Sequence, residues 1–164
     1  MSMFEDRQYQ WRETYFVLFD PAQRPTLDAL EKKLSVAGRS HFAVTNAATD
    51  KKGRIESLTI LSPDDFAALD ISYLAGPEVR EEARTLAKEL TGPGCQPEER
   101  EKIDRLRRYE GRFDVLHFEK VSDHGGSGGE EEGMFDPSGL LIVLEALAEL
   151  TGGIAVDPQS GAML

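Results

Sequence analysis

An α+β fold with the ferredoxin-like order βαββαβ, its helices packed on one face of an antiparallel sheet and a further helix and strand appended at the C-terminus, is predicted by three observations. Short runs with strand-like patterning recur at 9–19, 41–48, 54–61 and 112–121. A loop of hairpin length joins the second to the third, and stretches with helical spacing separate the others.

Along Tyr9–Phe19 the apolar residues Tyr9, Trp11, Tyr15, Val17 and Phe19 alternate, and Phe16 and Leu18 then add a second apolar face. Alternation that becomes continuous marks a strand entering a sheet interior. Asp20-Pro21 and Arg24-Pro25 stop it. Thr26 can cap a helix whose stripe is Leu27, Leu30 and Leu34, with Gly38 at its end. His41–Ala48 and Arg54–Leu61 flank Thr49-Asp50-Lys51-Lys52-Gly53, which reads as a hairpin.

The next segment carries two signals. Ser62-Pro63-Asp64-Asp65 has the form of a helix start, whereas Leu69, Ile71 and Tyr73 alternate as a strand, so a turn followed by a short extended segment is expected. Gly76-Pro77 opens a helix with Val79, Ala83, Leu86, Ala87 and Leu90 on one side, and Gly92–Pro97 breaks it. Glu98–Tyr109 buries only Ile103, Leu106 and Tyr109 amid opposite charges, the pattern of a surface helix. In Arg112–Val121 both strand faces carry apolar residues, so a central place in the sheet is expected. Asp136-Pro137 starts the most apolar helix, with Leu140, Leu141, Val143, Leu144, Leu147, Ala148 and Leu150. Thr151-Gly152-Gly153 ends it, Ile154–Val156 is a short strand, and Asp157–Gly161 is a turn.

A chain of 164 residues with 40 % hydrophobic and 30 % charged residues fits a single domain, 1–164, with a core that needs no disulfide or metal. The segment 122–133, SDHGGSGGEEEG, has no large apolar side chain and reads as a flexible Gly/Glu-rich loop. The net charge of −11 is uneven: no Lys or Arg follows Lys120, and the last 44 residues carry eight of the acids, leaving the first 120 nearly balanced at −3. Such a field repels a phosphate backbone and an anionic membrane surface, so neither nucleic acid nor membrane is an expected partner. The first twelve residues lack the apolar run of a signal peptide and Cys95 is single, which points to the cytoplasm.

No motif names a reaction, and no cofactor is expected. The glycine-rich loop lacks the Lys-Ser/Thr of a phosphate-binding loop and runs into three glutamates. For a metal, Asp123, His124, Glu130, Glu131 and Glu132 supply one imidazole and four carboxylates without the spacing of a calcium loop. His117, beside Phe118, reads as a half-buried sheet residue. Tyr9 and Trp11, among Gln8, Gln10 and Arg12, form an aromatic-polar mixture of the kind found at interfaces. The function expected is a non-catalytic module that binds a protein or small ligand, or self-associates as a homo-oligomer through a sheet edge or the aromatic strand. The alternatives are a metal-dependent enzyme or cation sensor using the acidic loop, and an acidic partner of a basic protein.

Overall fold

A computed structural model describes residues 8–36, 42–62, 67–92, 94–120 and 138–164. The elements in chain order are β1 (Tyr9–Phe19), α1 (Leu27–Val36), β2 (Ala43–Thr49), β3 (Ile55–Ser62), β4 (Ala67–Ala75), α2 (Pro77–Leu90), α3 (Pro97–Leu106), β5 (Gly111–Lys120), α4 (Ser138–Thr151), β6 (Ile154–Asp157) and β7 (Ala162–Met163). Among the described residues the strands form one seven-stranded sheet, ordered β2-β3-β4-β5-β1-β6-β7, in which every neighbouring pair is antiparallel.

That order overturns the ferredoxin-like expectation. The extended piece expected after Ser62-Pro63-Asp64-Asp65 is a full strand, β4, paired with β5 from Ala67↔Glu119 to Ala75↔Gly111 and with β3 from Ser57↔Ser72 to Ser62↔Ala67, while the expected turn at 63–66 lies outside the described residues. With β4 present, β2-β3-β4 is a continuous meander. The α2–α3 connection then brings β5 back antiparallel beside β4 instead of crossing to a parallel position.

The helices also occupy both faces of the sheet rather than one. Helices α1 and α4 cover a face built from Val17, Phe19, Ile60, Leu69, Ile71, Phe113 and Val115. Helices α2 and α3 pack with Leu18, Ile154 and Val156, and with Phe16 and Met163 at the margin. The physical reason lies in β1 and β6. Their consecutive residues Phe16, Val17, Leu18 and Phe19, and Ile154, Ala155 and Val156, are apolar on both sides, so each face needs its own helical cover.

The first face carries the larger buried cluster. Phe113 is fully buried, its ring 4.9 Å from that of Phe19 and 6.0 Å from that of Tyr73. Arg24 closes this end, its guanidinium 4.3 Å above the Tyr73 ring and 2.8 Å from Asp50. Asp50 also accepts from the Arg54 guanidinium at 2.7 Å and from the Lys52 and Arg54 backbone N–H groups, tying the β2–β3 hairpin to the start of α1. Burial pushes the Asp50 carboxyl upward, but these hydrogen bonds outweigh it and hold the group below the usual carboxylate range. Where α4 turns into β6, the chain runs against β1: a Cβ on Gly153 would collide with the Leu18 carbonyl and lie 2.9 Å from Phe19 Cβ, so only glycine fits.

Candidate functional site

Strand register places alternate residues of β1, β5, β4, β3 and β2 in rows across the sheet face opposite α1 and α4. One row reads Thr14, Leu116, Asp70, Thr59 and Thr45, and the next reads Phe16, Asp114, Ser72 and Ser57. Helices α2 and α3 pack over the β1–β6–β7 side of this face. The β2–β3–β4 side carries instead a shallow cavity of about 300 Å³, lined by Asn46, Ser57, Thr59, Asp70, Ser72 and Leu116, with the β3 and β4 backbone at Leu58 and Ile71.

The strands themselves explain how these side chains are held. On β3 and β4 the residues Leu58, Ile60, Leu69 and Ile71 point into the core, which forces Ser57, Thr59, Asp70 and Ser72 to the other face. Thr59 is only 3 % exposed, and its hydroxyl donates to Asp70 Oδ1 at 2.6 Å across the β3–β4 pair. Ser57 and Ser72 stand directly opposite each other beside that bond, and Ser72 is exposed. At the cavity rim Asn46 has φ 51, a left-handed conformation that asparagine tolerates better than most residues, where the β2–β3 register slips.

Toward the helices the polar row ends in an ion chain. Arg112, 8 % exposed, donates from Nε to Asp114 at 2.6 Å and from Nη1 to Glu82 of α2, with its guanidinium 4.3 Å above the Phe16 ring. Burial raises the Asp114 carboxyl above its ordinary value, and the opposing pull of Arg112 does not cancel it.

The two aromatic candidates fall on this face but in different settings. Trp11 lies opposite Phe118, in the row beyond Thr14. It is 40 % exposed and donates from Nε1 to Thr14 Oγ1 at 3.2 Å. Tyr9 is half-buried and packs, with Leu61 and Leu116, against the buried pair Ala68 and Phe118. Asp123, His124, Glu130, Glu131 and Glu132 lie outside the described residues, as does the Gly/Glu-rich loop. Among the described residues no three His, Cys, Asp or Glu side chains come together as metal ligands. No helix there is long and apolar enough to cross a membrane.

His117 is on the opposite face, 7 % exposed and so deeper than the half-buried position expected of it. Its Nδ1 is 3.4 Å from Glu13 Oε1, and Glu13 also takes the hydrogen bond of the Tyr15 hydroxyl. Burial, the Glu13 hydrogen bond and the charges of Glu13 and Asp157 all push the Tyr15 phenol upward, so it stays a proton donor. Glu13 and Tyr15 are thus paired at the end of the apolar face, whereas His117 Nδ1, although 3.4 Å from Glu13, is buried without a hydrogen-bond partner among the described residues.

Ser57, Thr59, Asp70 and Ser72 were not singled out by sequence reasoning. The usable signal was their alternation with Leu58, Ile60, Leu69 and Ile71, but only the β3–β4 register shows that the polar positions meet. No family model, curated protein or solved structure matches this chain.

Proposed function

We propose that the protein is a binding module that receives a small, hydrogen-bonding ligand in the polar cavity on the β3–β4 face. The observation that carries this reading is the Thr59–Asp70 pair. A buried hydroxyl and a carboxylate are held 2.6 Å apart beside two facing serines, on a sheet surface where apolar side chains and a helix would serve stability better. A cavity of about 300 Å³ is at the lower limit for a small-molecule site. Its chemistry sets the ligand class. Asp70 accepts, the serine hydroxyls and the Asn46 amide both donate and accept, and Leu116 supplies an apolar floor, so the matching ligand is a compact molecule rich in donor groups.

The test is a panel of monosaccharides, polyols and small primary amines followed by thermal shift and calorimetry, with wild type and Ser72→Trp compared. Ser72 is exposed, so the indole blocks the cavity without disturbing the core. A saturable shift in the wild type that disappears in Ser72→Trp supports the reading. Responses of equal size in both proteins, or no response to any compound in the wild type, defeat it.

A further inference from the structure

On the helix-covered side of the same sheet face runs a second groove, of about 440 Å³, between α2, β1 and the β6–β7 turn. Its floor is apolar, made by Phe16, Leu18 and Leu86, with Pro158 as the far wall. Its near wall is one stripe of α2: Glu78, Glu82, Thr85 and Glu89 recur at helical spacing, with Glu81 beside them. Among the described residues Glu78 and Glu89 pair with no cation.

The groove already shows how it holds a positive charge. The Arg112 guanidinium lies in its lining, stacked on Phe16 and gripped by Glu82 and Asp114. Ring face, apolar floor and flanking carboxylates together are the arrangement that receives an arginine side chain, whose planar cation stacks and pairs at once. A neutral apolar ligand would leave the glutamates unused, and a bare metal ion would have no use for the apolar floor.

We propose that this groove docks a basic peptide segment of a partner protein, with arginines meeting Glu78 and Glu89 and an apolar side chain between them seated over Leu18 and Leu86, beside the Phe16 ring that Arg112 covers. The surface differs from the small-ligand cavity, so either reading can fail alone. The net charge of −11 draws such a partner toward the protein, but the groove fixes where it binds.

The experiment uses a short fluorescein-labelled peptide in which arginine and leucine alternate, titrated by fluorescence anisotropy against the full chain. Two variants are compared with wild type: Glu78→Gln with Glu89→Gln in the groove, and Glu56→Gln with Glu101→Gln as a control that removes the same charge elsewhere. All four glutamates are exposed, so both variants keep the fold. The expected result is saturable binding that weakens roughly five- to tenfold in the groove variant, stays near wild type in the control, and weakens with added salt. Equal loss in both variants means diffuse attraction to an acidic surface and overturns the proposal. Absence of binding to the wild type overturns it as well.

Discussion

The two faces of the sheet are made from alternate residues of the same strands, yet they are built to different ends. Toward α1 and α4 the rows are Val17, Phe113 and Tyr73, then Tyr15, Val115, Ile71 and Leu58, and the central members are wholly or almost wholly buried. Toward the other side the same strands carry Thr14, Leu116, Asp70 and Thr59, then Phe16, Asp114, Ser72 and Ser57, polar except at Leu116 and Phe16. The difference separates two tasks: apolar rows hold the fold, and the polar rows exchange some of that stability for hydrogen-bonding groups at the surface.

The largest expected effect breaks the first face. Phe113 fills the space between Phe19 and Tyr73, and Phe113→Ala removes a fully buried ring together with both aromatic contacts. A loss of about 3–5 kcal/mol is expected, a large share of the stability of an ordinary domain, measured by denaturant titration. A loss below about 1 kcal/mol would show that the face under α1 and α4 is not the principal core.

A change on the polar face should cost much less. Thr59→Val keeps the shape and β-branching of the side chain but removes the hydroxyl that donates to Asp70, and about 1 kcal/mol is expected. The asymmetry between these two substitutions is the comparison in energetic form. If Thr59→Val proved as damaging as Phe113→Ala, the Thr59–Asp70 pair would be a structural keystone rather than part of a binding surface.

Much of this architecture was legible in the sequence, and the reason it was incompletely legible is physical. The spans of β1, α1, the β2–β3 hairpin, α2 and β5 follow from local patterning and stop signals, all of which act within a few residues. Strand β4 was ambiguous because Phe66, Leu69, Tyr73 and Leu74 also suit a helix; pairing on both sides, with Ser57–Ser62 and Gly111–Glu119, decides it, and those partners are distant in sequence. One undercounted strand was enough to change the inferred topology. The candidate site was less legible still. Asp70 and Thr59 are separated by eleven positions and become neighbours only through register. Tyr9 and Trp11 stand out alike in the sequence for their polar neighbours, and only the structure separates them: Trp11 is exposed, while Tyr9 packs against Phe118.

Acid separates the two regions further, because two carboxylates respond to it in opposite senses. Asp50, at the hairpin that closes the apolar end, is held below the usual range. Its contribution to stability is therefore present above its unfolded value and is lost as pH falls through its folded value. Asp114, on the polar rows, is raised by burial, so its ionised form is the disfavoured one when folded. Its penalty sets in as pH rises from the unfolded value through the folded one and is relieved on acidification. Melting temperatures followed from neutral pH down through the carboxylate range should therefore fall less steeply for Asp50→Asn than for wild type, and more steeply for Asp114→Asn. Parallel curves for all three proteins would remove the electrostatic distinction between the regions.

The smallest expected effect has the opposite sign from the rest. Ser57 and Ser72 are directly opposed on β3 and β4, and neither is fully buried. Valine suits a strand better than serine, and an apolar β-branched pair across an antiparallel ladder contributes about 0.2–1 kcal/mol relative to small residues. The double variant Ser57→Val with Ser72→Val should therefore match or exceed the wild-type melting temperature while losing every response to donor-rich ligands. That outcome would show serine kept at a cost to stability, which is the mark of a position selected for binding. A destabilised double variant would mean instead that the polar rows support the sheet, and the division of labour between the two faces would fail.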